Sequence, residues 1–238
     1  LINSGNKLGT VTSLETTATS AGTASINTIQ DITLSALNIA SGQLGLSLAD
    51  GKSATFDGAI TANSAFTVTA SGVNTTANLA DSLDKTGGST VTFAGFNTLH
   101  YTGANEASWN LTSAAQTVSW SGKTFKFDTA TSLVGGSGVD KFALSGTPYS
   151  LPSLDGADGD DELTVNAASA TANKTWSVEL DSASAAAEGK VRATNIKSLT
   201  VTNVPSNVTV QLGIGNGKDT TWNLTGATTT YTLNNADL

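Results

Sequence analysis

Phe96-Asn97-Thr98-Leu99-His100-Tyr101-Thr102 and Ile196-Lys197-Ser198-Leu199-Thr200-Val201-Thr202 are the stretches on which the fold turns. Each opens apolar, polar, hydroxyl, apolar and runs on into an alternating strand; Ile26-Asn27-Thr28-Ile29 repeats the opening a third time. Downstream stand Trp109-Asn110-Leu111-Thr112 and Trp222-Asn223-Leu224-Thr225, the nearest internal match in the chain. Thirteen residues separate Phe96 from Trp109 and twenty-six separate Ile196 from Trp222, so the unit recurs without a fixed period. Degenerate recurrence of strand and turn suits a solenoid, in which no rung buries its own face and each must stack on its neighbours. With strands ~4.8 Å apart, residues 1–238 are expected to form one elongated segment several nanometres long.

Around these stretches the same alternation continues. Residues 90–102, 119–128, 175–180, 198–204, 207–212 and 220–233 read as strands, with Thr supplying a methyl to pack and a hydroxyl to face water. Two short helices are expected as decorations. Residues 76–85 place Leu79 and Leu83 four apart, and residues 181–191 offer an Asp cap, an Ala cluster and Gly189 as a stop. The expected class is therefore all-β, a parallel β-helix or β-solenoid with short helical decorations, the alternative being an array of β-sandwiches.

Composition narrows the function. Net charge is −8 and the isoelectric point about 4.4, yet only 13% of residues are charged, so Ser, Thr, Asn and Gly must keep the chain soluble. Cytoplasmic enzymes carry a charged share nearer a quarter. Eleven Lys and Arg scattered singly concentrate no positive potential, which argues against a nucleic-acid partner. The absence of Cys excludes disulfides, thiol catalysis and zinc-thiolate sites, and it fits export in an unfolded state. Leu1 in place of an initiator Met points to a mature or excised segment, and no apolar run reaches the ~20 residues that span a bilayer.

One motif carries chemistry. Gly135-Gly136-Ser137-Gly138-Val139-Asp140-Lys141-Phe142-Ala143 fits the nonapeptide G-G-x-G-x-D-x-U-x, where U is a large apolar residue, at every defined position. Gly156-Ala157-Asp158-Gly159-Asp160-Asp161-Glu162-Leu163-Thr164 fits it with Ala157 in place of one Gly, and residues 215–219 hold a weaker third copy. Glycines permit a tight left-handed turn that points carbonyl oxygens inward, Asp supplies a hard carboxylate, and the apolar residue anchors the next strand.

The motif resembles the haemolysin-type calcium-binding (RTX) repeat, and the Thr- and Gly-rich remainder is similar to large RTX and filamentous-haemagglutinin-like surface proteins. Calcium takes six to eight oxygens, so one loop cannot fill its shell; in that family, loops of stacked coils share each ion. Asp140 and Asp161 lie twenty-one residues apart, close to two nonapeptides and a small insertion, which places both loops on one edge of successive rungs. The resemblance implies one calcium ion within residues 135–164, ligated by Asp140 and Asp161. Asp158 or Asp160 would assist, with carbonyls of Gly136, Gly138, Ala157 and Gly159. An extracellular site of this kind binds with a dissociation constant of about 10⁻⁴ to 10⁻³ M, so it fills only outside the cell.

Catalytic equipment is sparse. His100 is the only histidine, and no G-x-S-x-G elbow accompanies it. Asp160-Asp161-Glu162 invites comparison with the paired carboxylates of glycoside hydrolysis, but only Lys141 accompanies them and the calcium motif already employs Asp161. The four Trp and three Tyr suit core positions better than a sugar-stacking platform. The sequence thus reads as a non-enzymatic structural or adhesive segment of a secreted bacterial cell-surface or matrix protein. Its partners would be copies of itself, joined end to end or laterally, and surface glycans. The alternatives are a calcium-dependent S-layer lattice protein and a carbohydrate-binding or polysaccharide-active β-helix.

Overall fold

The computed structural model describes residues 7–16, 22–39, 42–62, 64–86, 90–128, 130–180, 188–214, 221–225 and 231–234. The chain is all-β. Its strands begin with β1 (Thr10–Val11), β2 (Leu14–Thr16), β3 (Gly22–Thr28), β4 (Ile32–Ile39), β5 (Gly42–Leu48), β6 (Ser53–Ala62), β7 (Phe66–Ser71) and β8 (Thr76–Leu79). There follow β9 (Asp84–Thr86), β10 (Val91–Ala94), β11 (Thr98–Tyr101), β12 (Ala107–Thr112), β13 (Gln116–Trp120), β14 (Lys123–Phe127), β15 (Ser132–Val134) and β16 (Asp140–Ser145). The last are β17 (Ser153–Asp155), β18 (Glu162–Asn166), β19 (Ser177–Leu180), β20 (Lys190–Thr194), β21 (Ser198–Thr202), β22 (Thr209–Ile214), β23 (Thr221–Thr225) and β24 (Tyr231–Asn234).

These strands fall into two compact units, residues 1–103 with 119–130, and residues 104–118 with 131–238. In the first unit, successive strands from β3 to β8 alternate between two sheets. Leu34, Phe56, Leu79 and Tyr101 align across β4, β6, β8 and β11, while Leu44, Val68, Phe93 and Phe127 align across β5, β7, β10 and β14. The first ladder advances by 22, 23 and 22 residues, so one coil contributes one strand to each sheet. Inward positions are apolar and buried, and Phe56, Phe93, Phe125, Trp120 and Tyr101 pack ring to ring at 4.9–6.0 Å. Burying each such side chain contributes roughly 1.5–3 kcal/mol.

The second unit repeats the scheme. Trp109, Phe142, Leu163 and Leu199 align across β12, β16, β18 and β21, and Leu111, Leu144, Val165 and Val201 form a second buried ladder beside them. On the other sheet β15, β17 and β20 stack in parallel, with β19 following β20 and β22 following β19. Antiparallel pairs include β22 with β23 and β21 with β24.

The recurrent stretches mark corners of the coil. Before Phe96 stands Gly95 at φ 73°, and before Ile196 stands Asn195 at φ 56°. The N–H groups of Asn97 and Thr98 both donate to the Thr75 carbonyl at 3.0 Å; those of Lys197 and Ser198 both donate to the Asp161 carbonyl at 2.9 and 3.1 Å. In these two the pattern encodes the same turn, a left-handed residue followed by two donors converging on the preceding rung, whereas Ile26, Asn27 and Thr28 of the third lie within β3. The Trp match behaves otherwise: Trp109 lies in a parallel strand and Trp222 in an antiparallel one, so the two are not equivalent.

No helix occurs among the described residues. Residues 76–85 form β8, a turn in which the Leu83 N–H donates to the Ala80 carbonyl, and the start of β9. Leu79 and Leu83 are both buried, so their helical spacing arises from a strand followed by a turn. Of the second expected helix, residues 181–187 lie outside the described residues, and Lys190 and Val191 open β20.

Candidate calcium corner

The two Gly-Asp loops join β15 to β16 and β17 to β18. Because Lys141 and Glu162 pair in register, Asp140 and Asp161 occupy the same place on adjacent rungs, one coil of twenty-one residues apart. The loops stack through backbone bonds. The Gly135 N–H donates to the Asp155 carbonyl at 2.8 Å, and the Asp158 N–H donates to the Gly136 carbonyl at 3.3 Å.

The glycines are required by this closeness. A Cβ on Gly135 would lie 2.4 Å from Asp140 Oδ2 and 2.5 Å from the Gly156 carbonyl oxygen. One on Gly138 would lie 2.4 Å from the Ala104 carbonyl oxygen, and one on Gly159 2.2 Å from that of Gly138. Ala157, the departure from the motif, sits at φ 63°, a left-handed conformation that costs an L-residue about 1–2 kcal/mol. Its N–H donates to Asp155 Oδ1 at 3.0 Å, which helps to hold it there.

Both aspartates are fully buried. Asp140 Oδ1 accepts from Trp109 Nε1 at 2.9 Å and Oδ2 from the Gly136 N–H at 2.7 Å. Asp161 Oδ1 accepts from the Asp140 N–H at 2.7 Å, whereas Asp161 Oδ2 is buried with no hydrogen-bond partner. Burial pushes the Asp161 carboxyl up to about 6; the Asp140 N–H works against that rise and the Asp140 charge adds to it. Burial also raises Asp140, partly offset by Trp109 and Gly136.

Of the expected ligands, then, the structure brings Asp140 and Asp161 together and sets them different tasks. Asp140 clamps its own loop and a tryptophan from the preceding rung, one donor on each carboxylate oxygen. Asp161 keeps one oxygen uncommitted in a place where an unpaired charge is costly. Asp158 and Asp160 are exposed. Among the described residues no three acidic or histidine side chains converge. A cation at this corner would have Asp161 Oδ2 as the carboxylate oxygen without a hydrogen-bond partner. The third loop, residues 215–219, lies outside the described residues.

Trp109 was legible only as half of a repeat; its bond to Asp140 spans thirty-one residues and follows from the register of β12 on β16. Trp109, Trp120 and Trp176 are buried, so none of them offers a face to a sugar. His100 lies half-buried on β11, in register with Asn78.

The fold and this corner define a parallel β-solenoid with two strands per coil and a stacked Gly-Asp edge. No protein-family model, curated protein or solved structure matches the chain.

Proposed function

We propose that this chain is a structural, adhesive segment of a secreted bacterial cell-surface or matrix protein, stiffened by calcium and assembling with copies of itself. The observation that carries the reading is the in-register ladder. In each unit the buried side chains of one rung are completed by those of the next, so the buried surface goes into stacking rungs. Outward positions between them are mainly Thr, Ser and Asn, which suit a surface presented to water or to other polymers.

Calcium enters through the uncommitted oxygen of Asp161. Bound there, the ion would neutralise the buried charge and draw adjacent loops together, so rungs would lock after export into a calcium-rich medium. Electron microscopy of the full chain tests the assembly. Fibres or sheets in calcium that disperse in chelator are expected, and single particles under both conditions would overturn self-association.

A further inference from the structure

Three rungs of the first unit present an unusual outer face. Threonine, serine and asparagine of β3 (Thr23, Ser25, Asn27) align with Gln43, Gly45 and Ser47 of β5 and with Thr67, Thr69 and Ser71 of β7. These nine positions form a rectangular array, with rows about 4.8 Å apart and columns about 6.7 Å apart. None carries a charge or a ring. The first charge in register on this face is Lys126 of β14, beyond Thr92 of β10.

At the centre Gly45 leaves a gap. A groove of about 370 Å³ opens over it, floored by the glycine and the buried Ile26 and Leu46 and bordered by Ser25, Asn27, Gln43, Ser47, Thr69 and Ser71. Gly45 is not held by conformation. Its φ is not left-handed, and an added Cβ would meet Ser25 Oγ at an ordinary 3.5 Å. The gap is therefore a property of the surface, and it is not demanded by packing.

We propose that this groove binds a neutral polysaccharide. An anionic chain needs cations, and the array has none. A protein partner needs a large apolar or aromatic anchor, and the array offers nothing larger than Thr or Gln. A neutral sugar chain presents hydroxyls that both donate and accept, matched by the Ser and Thr hydroxyls and the Asn27 and Gln43 amides, and C–H faces suited to the Gly45 floor. The volume is at the small end for a ligand site, the size of a short stretch of a longer chain. This supplies the ligand class for the adhesive part of the proposed function, and it is independent of the calcium corner.

Affinity electrophoresis of the full chain through hydroxyethyl cellulose, galactomannan, dextran and, as anionic comparator, alginate tests it. Retardation by at least one neutral polymer and not by alginate is expected, weakened about tenfold or more in Gly45→Arg, which fills the groove. The Asn27→Ala/Gln43→Ala variant leaves the groove open and removes only surface amides; it should weaken retardation several-fold with thermal unfolding unchanged. Retardation by no neutral polymer, equal retardation by alginate, or undiminished binding in either variant overturns the proposal. So does a Gly45→Arg chain that loses self-association in sedimentation, which would make the face a contact between copies. Sugar binding that persists in chelator, or is absent while calcium-dependent assembly persists, separates this site from the assembly reading.

Discussion

One device appears in both units with different chemistry. In the first unit the Thr75 N–H donates to Asn97 Oδ1 at 2.9 Å, from one rung to a side chain 22 residues on. In the second the Asp140 N–H donates to Asp161 Oδ1 at 2.7 Å, 21 residues on. An amide and a carboxylate thus do the same structural work. The amide is neutral, whereas the carboxylate leaves a second oxygen buried and unpaired. A corner needs only an acceptor, so the charge at Asp161 is extra to folding and calls for a proton or a cation.

The largest test of that contrast removes the rung partner of the acidic corner. Trp109 stacks on Phe142 at 5.7 Å and bonds Asp140, so Trp109→Ala should destabilise the second unit by about 3–5 kcal/mol. Hydrogen exchange should show the loss in residues 131–166; equal loss in residues 32–101 would mean that the units do not unfold separately. Next comes Asp161→Asn, which keeps an acceptor for Asp140 and discards the buried charge. In chelator at pH 8 it should stabilise the chain by about 2–3 kcal/mol, read from denaturant midpoints.

The pH dependence shares that origin. The native Asp161 carboxyl holds its proton up to about pH 6, and the unfolded one releases it near 3.8. Between those values the folded state binds more protons, so calcium-free stability should fall as pH rises from about 4 to about 6 and then level off. Asp161→Asn should reduce that slope, the remainder belonging to Asp140, whose carboxyl burial also raises; a slope undiminished in the variant would assign it elsewhere.

Smaller effects sharpen the geometry. Gly138→Ala drives a methyl into the Ala104 and Asn105 carbonyls and should cost about 1–3 kcal/mol, against a near-neutral Gly45→Ala. Ala157→Gly should gain about 1 kcal/mol by relieving the left-handed alanine. Least of all, Asn97→Asp in the half-buried amide corner should change stability by about 1 kcal/mol or less and confer no response to calcium.

Much of this was legible in the sequence, for identifiable reasons. Alternation marks strands because the side-chain period is two, and the Gly-Asp spacing placed Asp140 beside Asp161 because one coil happens to span twenty-one residues. Corners were harder to see. Residues 90–102 read as one strand, yet Gly95 turns left-handed between β10 and β11; residues 119–128 contain the Ser121-Gly122 turn, at φ 49° and 77°. A turn built on one or two positive-φ residues interrupts the backbone without interrupting the hydrophobic pattern. Most strands of the first unit went unread because Ala and Gly dilute their alternation, as in Gly42–Leu48. The distribution of bonds over the two carboxylates was invisible, since it depends on Trp109 from another rung.

Thermal unfolding of the parent and Asp161→Asn chains at pH 7.5, in chelator and in about 10 mM calcium, tests the central claim most directly. A site with a dissociation constant of about 10⁻⁴ to 10⁻³ M should raise the parent midpoint by about 3–10 °C and leave the variant where it was. A parent midpoint indifferent to calcium, or an equal rise in both chains, would contradict the assignment of the buried Asp161 oxygen to a cation.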